Sequence, residues 1–313
     1  MILHEYPWLK NAHHNLAESY SGGHLGQAYL IHGPAGIGKK PLAHWFASLL
    51  LCKTPDALEP CHTCHSCRFF EAQTHPDWQL IEPDKGTIKI DTIRELSLWC
   101  TQTAGLSGLR VVVIEQAELM NNAAANALLK TLEEPASSLK MLLVSNDAAS
   151  LPATIRSRCQ QITVSAVDDS QALAYLERSH AQLEDKKIAL SACGGSPLLA
   201  SEFLDSEHFT QFKELGLFLQ KLSQHDVDWI SYAKTLATQD TAMILNWFAT
   251  WVRHWTIIQL DNKSYLSEDN NTEKLFMLYD KCIKNKYDLH FNVRAQGLYE
   301  AIFVSWIACF RRG

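Results

Sequence analysis

Residues 28–40 read AYLIHGPAGIGKK: a short apolar run, a glycine-rich loop, then two lysines. An apolar strand leading through glycines into a helix is the context of a phosphate-binding loop. That pattern asks for Gly, four residues, Gly, Lys, then Ser or Thr. Gly33, Gly38 and Lys39 fit, and Gly36 lies between them. The last position is Lys40, which has no hydroxyl to place on Mg²⁺. Pro41 follows without a backbone N–H, so the helix N-terminus that would cradle phosphate has one donor fewer. The expectation is a vestigial loop (Gly33, Gly36, Gly38, Lys39) that binds no ATP or Mg²⁺, in a subunit that works with ATPases rather than as one.

Outward from this loop, the runs at 78–81 (WQLI), 111–114 (VVVI), 141–145 (MLLVS) and 161–164 (QITV) read as buried strands. Helices alternate with them. One runs from Pro41 to Leu51. Thr92 and Glu95 suggest a capping box for a second, and Asn121 or Asn122 caps a third that Pro135 ends. This alternation predicts an α/β fold with a parallel sheet. Strand signals fade after residue 165. Residues 168–204 read as a small helical unit around the Gly194–Pro197 turn, and 208–313 as long amphipathic helices. Trp247, Trp251 and Trp255 fall on one face of a helix over 241–260, a stripe typical of helix–helix core or a subunit contact. The polar run 262–272 reads as a loop.

The 313 residues suffice for two or three domains. A net charge of −6 gives no global field favouring nucleic acid. No signal-peptide pattern or membrane span is evident. Nine cysteines, four of them clustered, suit a reducing cytoplasm better than a disulfide framework.

Cys61, Cys64 and Cys67 are spaced by two residues each, with Cys52 upstream. Four thiolates close a tetrahedral structural Zn²⁺ site with no open position for catalysis. For the fourth ligand, His62, His65 and His75 compete with Cys52. The strand VVVI ends in Glu115-Gln116-Ala117-Glu118, where a nucleotide hydrolase carries a metal-binding carboxylate and a general base. Glu115 keeps a carboxylate; Gln116 takes no proton from water at neutral pH, and that step is often worth ~10²–10⁴-fold. The alternative is that Glu115 and Glu118 are solvated residues after a core strand. Arg156 and Arg158 precede the last strand. Arg158 is the candidate for a guanidinium offered to a neighbour's γ-phosphate, worth ~10³–10⁵ in rate where it operates; Arg156 is the fallback.

Together these residues resemble the delta-prime family of the bacterial DNA polymerase III clamp loader. The likeness rests on Tyr6–Leu9, the Gly33–Lys39 loop, the Cys52/61/64/67 set, His75-Pro76-Asp77, the stretch Asn122–Pro135 and Ile155–Cys159. It covers residues 1–165 well and the C-terminal third only in character. It implies an AAA+ module with an inserted zinc site (1–165), a small helical lid (166–207) and a C-terminal helical collar (208–313). It further implies gamma/tau and delta subunits as partners in a pentamer that places the sliding clamp on primer-template DNA. Ser157-Arg158-Cys159 resembles that family's trans arginine finger. Where active relatives carry an arginine after Gly-Ser, this chain has Pro197. Two other readings stand beside this one: an active gamma/tau-type ATPase, and a zinc-dependent DNA-binding module, which the acidic charge disfavours.

Overall fold

Five apolar runs become five parallel strands: β1 (Ala28–His32), β2 (Trp78–Ile81), β3 (Arg110–Ile114), β4 (Leu139–Ser145) and β5 (Gln160–Thr163). Their order is β2-β3-β4-β1-β5, and each neighbouring pair is parallel. A parallel sheet is covered on both faces, so its central strands read as continuous apolar sequence. β3 and β4 are buried at every residue; the edge strands β2 and β5 are less so. Lys140 is the charged residue inside β4. It is buried, and its ammonium donates to the carbonyls of Leu25 and Gly26 at 3.2 and 3.1 Å.

The protein, seen as a computed structural model, is described over residues 2–23, 25–178, 181–224, 227–261, 271–288 and 294–310. It divides into two units, Met1–Arg178 with Ser196–Leu198, and Ser179–Gly195 with Leu199–Gly313. The first unit holds the sheet and helices α1 (Ile2–Glu5), α2 (Lys10–Ser21), α3 (Lys39–Leu51), α4 (His65–Glu71), α5 (Ile90–Cys100), α6 (Asn122–Glu133), α7 (Ala153–Arg156) and α8 (Asp169–Leu176). One apolar cluster joins Leu30, Val112, Ile114, Met141 and Leu143 of the strands to Ile93 and Leu96 of α5 and Ala124 and Leu128 of α6. α3 packs against β3 and β4.

Asn121 caps α6 as expected, its side chain accepting from the Ala124 N–H at 2.8 Å. The capping box expected at Thr92 and Glu95 does not form. α5 begins earlier, at Ile90, with Lys89 at the cap and no side-chain cap bond. Ile88 instead pairs with the Leu119–Asn121 backbone, and this long-range bridge overrides the local signal. α3 likewise starts at Lys39 rather than Pro41, so Pro41 sits in the first turn, where a missing N–H costs the helix nothing.

The second unit is helical: α9 (Leu183–Ala192), α10 (Pro197–Leu204, entered from the first unit), α11 (Glu207–Ser223), α12 (Trp229–Leu236), α13 (Thr241–Asp261), α14 (Asn271–Asp288) and α15 (Ala295–Phe310). Most of the loop expected over 262–272 lies outside the described residues; Asn271 and Thr272 open α14. The tryptophan stripe of α13 is core. Trp247 lies against Phe203 and Phe212, and Trp251 stacks on Phe212 with centroids 5.0 Å apart. Trp255 meets the Trp306 ring edge-on at 6.1 Å.

Gly216 makes the α11–α13 contact possible. A Cβ there would lie 2.1 Å from Cζ2 of Trp251, whose indole N–H donates to the Phe212 carbonyl at 2.9 Å. Gly216→Ala gains ~1 kcal/mol of helix propensity but forces this packed indole aside, and overpacking costs ~1–3 kcal/mol. The expected result is a lower melting temperature in thermal unfolding. An unchanged or raised value would show that the two helices separate freely.

Candidate functional site

The loop between β1 and α3 is held from several sides. Gly33 has φ 153°, and a Cβ there would lie 2.0 Å from the Val164 carbonyl oxygen, so only glycine fits where β5 ends. Gly38 forms the α3 cap at φ 89°. Trp8 donates its indole N–H to the Ile37 carbonyl at 2.8 Å, which explains the Tyr6–Leu9 stretch as a pad under the loop. The Gly36 carbonyl accepts from the Ser196 hydroxyl at 2.7 Å and the Leu198 N–H at 3.3 Å. Lys39 is 4% exposed. Its ammonium donates to the carbonyls of Gly33, at 2.8 Å, and Pro34. Burial pushes its pKa down to about 8, against the opposing charge of Glu118.

Lys40 turns the other way. Its Nζ lies 2.9 Å from Glu115 Oε2 and 2.9 Å from Glu82 Oε1. His44, one turn further along α3, places Nε2 3.2 Å from the second Glu115 oxygen. Glu115 is 8% exposed, so it is no solvated residue trailing a strand. Burial opposes its ionisation. The hydrogen bonds from His44 and Lys40 and the charges behind them outweigh that, and its pKa lies below the ordinary carboxylate value. An ammonium thus meets this buried carboxylate. Gln116, next in sequence, sits in the left-handed region at φ 47° and is exposed. Glu118 accepts from the Asn146 N–H at 3.1 Å, bridging to the end of β4.

The four cysteines converge. The sulfurs of Cys52, Cys61, Cys64 and Cys67 all lie within 4.8 Å of one another. Backbone N–H groups of Cys61, Cys64 and Cys67 point at the sulfurs of Cys52, Cys61 and Cys64, at 3.3, 3.4 and 3.4 Å. Such donors stabilise thiolates, the form that binds a metal. The Thr54 hydroxyl and the N–H groups of Thr63 and Cys64 draw the Cys61 thiol down to about 5, whereas burial pushes the thiols of Cys52 and Cys67 up. This group could hold a metal ion of tetrahedral preference.

The competing histidines are engaged elsewhere. His62 pairs with Glu71 at 2.8 Å, and the His65 ring meets Phe69. His75 is buried between Ser66 Oγ, at 2.7 Å from Nε2, and the Asp77 N–H, at 3.0 Å from Nδ1. Because the Ser66 hydroxyl donates to the Leu51 carbonyl at 2.6 Å, His75 supplies its own proton from Nε2 and accepts at Nδ1. Burial lowers its pKa, which suits this neutral tautomer.

Arg158 lies away from the loop. β5 begins at Gln160, beside Tyr29 near the start of β1, whereas the loop comes after the end of β1. At ~3.3 Å per residue the two are about 15 Å apart along the sheet. Arg158 donates to Glu133 Oε1 at 2.7 Å and to the Thr154 carbonyl at 2.9 Å. Arg156 is less accessible, with a buried Nε that has no partner among the described residues. Sequence reading missed Glu82, His44 and Glu133. His44 had a signal, its position four residues after Lys40 on one helix face. Glu82 and Glu133 had none, since their partners are set by strand register and tertiary packing.

The chain is similar to known proteins over most of its length. A family model described as DNA polymerase III, delta subunit, matches residues 8–168. A DNA polymerase III subunit delta' of Pseudomonas aeruginosa is 32% identical over 322 aligned residues, covering 96% of this chain and 97% of that protein. The subunit of the same name from Escherichia coli is 32% identical over 265 residues, 82% of this chain and 79% of its own. A DNA polymerase III subunit tau of Escherichia coli is 38% identical, but over 164 residues that make up 52% of this chain and 25% of that protein.

Asp77 gives a pH test of how the site is braced. Fully buried, it accepts from the N–H groups of Gly105, Leu106 and Ser107 at 2.6, 2.7 and 2.8 Å. Burial opposes its charge, yet these donors prevail and pull its pKa to about 2 from 3.8. A carboxylate with a depressed folded-state pKa stabilises the fold above its unfolded value, and that stabilisation disappears as pH falls through the folded one. Asp77→Asn is therefore expected to cost about 2 kcal/mol at pH 7, with the gap to the parent protein closing between pH 4 and pH 2. Denaturant unfolding across that range measures it; a gap independent of pH would assign the loss to shape rather than charge.

Proposed function

This chain belongs to the delta-prime family of DNA polymerase III subunits, and from that premise we propose that it is the non-hydrolysing member of the clamp loader, lending Arg158 to a nucleotide bound by the subunit beside it. The partners in this reading are gamma/tau and delta subunits, with the sliding clamp and primer-template DNA engaged through the assembly in the cytoplasm. The chain would act as part of the polymerase III holoenzyme, with no turnover of its own.

The observation that carries this reading is the Lys40 ammonium between Glu115 and Glu82. In phosphoryl-transfer sites of this loop type, Mg²⁺ is held by a loop hydroxyl and a strand-end carboxylate. Here the hydroxyl is replaced by Lys40, and the carboxylate is already paired with its ammonium. A divalent ion would have to displace a covalently attached cation and then share the space with it. Gln116, at the general-base position, supports the same conclusion. The distance along the sheet between Arg158 and this chain's own loop favours action in trans. The gamma/tau-type reading would need a metal site where the ammonium sits.

In this reading residues 1–165 form the AAA+ module, 166–207 the lid and 208–313 the oligomerising collar. The Cys52/61/64/67 group takes Zn²⁺ in a structural role, because four sulfurs leave no coordination position for substrate.

Isothermal titration of the isolated chain with ATP and Mg²⁺ tests the central claim. No metal-dependent binding is expected; tight binding that requires Mg²⁺ would overturn it. The metal has its own check. Protein purified under reducing conditions should contain zinc, and removal of the metal should lower the melting temperature, since structural zinc contributes ~10–16 kcal/mol of apparent binding energy in small finger peptides. Zinc-free native protein with undiminished stability would refute the assignment.

A further inference from the structure

We propose that Glu133 is a positioning residue for Arg158: it fixes the guanidinium in the orientation from which that arginine meets the neighbouring subunit's phosphate. The proposal rests on the reading of Arg158 as an arginine acting in trans. Nη2 donates to Glu133 Oε1 at 2.7 Å, and Nη1 donates to the Thr154 carbonyl at 2.9 Å. The two acceptors come from different helices, α6 and α7. A guanidinium held at one point turns about that bond, whereas two acceptors on separate elements set its plane.

Three observations separate this role from an ordinary surface ion pair. Glu133 is the last residue of α6, where the helix dipole disfavours a carboxylate. Helix stability therefore gives no reason for its presence, and Arg158 does. Next, the side chains are 36% and 49% exposed for Arg158 and Glu133. An exposed pair adds little to folding, while the same exposure leaves the guanidinium reachable from outside. Finally, a recess of about 220 Å³ lies beside it, lined among others by Leu132, Pro135, Arg158 and Gln160. This provides open space next to the guanidinium for a neighbour's groups to enter.

The physical gain is in ordering. A free arginine side chain loses rotamer freedom when it engages a phosphate. An arginine already held in place loses less, and misplacing a catalytic group by about 1 Å is enough to cost ~10²-fold.

The test uses the complete loader, with this chain's neighbour as its only hydrolysing subunit, and compares E133A, E133Q, R158A and the E133A/R158A double variant. E133A is expected to lower kcat roughly tenfold with little change in KM for ATP. E133Q should keep most of the rate, because its amide oxygen still accepts a hydrogen bond. R158A should fall further, and the double variant should be no slower than R158A, since residues acting as a unit are not additive. A parental rate for E133A beside a slow R158A would overturn the role of Glu133 while leaving Arg158 its own. Additive losses in the double variant would do the same, by assigning Glu133 to structure. A parental rate for R158A would overturn both.

Discussion

The parallel pairing of β5 with β1 is the constraint that sets where the glycine loop and Arg158 lie. Because the two strands run the same way, the segment after β1 and the segment before β5 lie at opposite ends of one sheet. The glycine loop leaves the end of β1, and Arg158 precedes the start of β5. The loop end of this arrangement is tightly built: the Val164 carbonyl excludes any side chain at Gly33. Arg158 inherits a fixed place at the other end from the strand that it leads into.

Charge at the loop end is settled within the chain. Burying an ionised group is costly unless it is paired and hydrogen-bonded. Lys39 meets this condition with backbone carbonyls, and Glu115 meets it with Lys40 and His44. The backbone thus answers the cost of Lys39, and side chains of α3 answer that of Glu115. The same pairing logic appears at Asp77, whose carboxylate collects the N–H groups of the turn before β3, and at His75, whose tautomer is dictated by Ser66. The histidine and the cysteine group are thereby joined through α4, which Cys64 caps and Ser66 anchors to the Leu51 carbonyl.

Much of this was legible in the amino-acid sequence, for identifiable reasons. The central strands show because both faces of a parallel sheet are buried, leaving runs such as VVVI with no polar face. Asn121 shows because a cap acts within three residues. The cysteine set shows because a group that could hold a metal ion draws its sulfurs from short spacings. The loop shows its glycine pattern, with Lys40 where that pattern asks for a hydroxyl. The illegible parts are those made by distance in sequence. Glu82 reaches Lys40 because Ile81 and Ile114 are in register, bringing the ends of β2 and β3 side by side. Glu133 reaches Arg158 only once α6 and α7 have packed. The Thr92 cap failed for the same reason, because a backbone bridge from Ile88 to the Leu119 region started the helix earlier.

A cation that belongs to the polypeptide has no dissociation rate. A bound metal ion can be diluted away, sequestered or exchanged for another; the Lys40 ammonium cannot, and its concentration at Glu115 is set by the length of a side chain. Glu82 and Glu115 therefore share one positive charge that the chain itself carries. Units that load and discharge a nucleotide pass through a cycle of charge states. The Lys40–Glu115 pair, by contrast, is built into the chain.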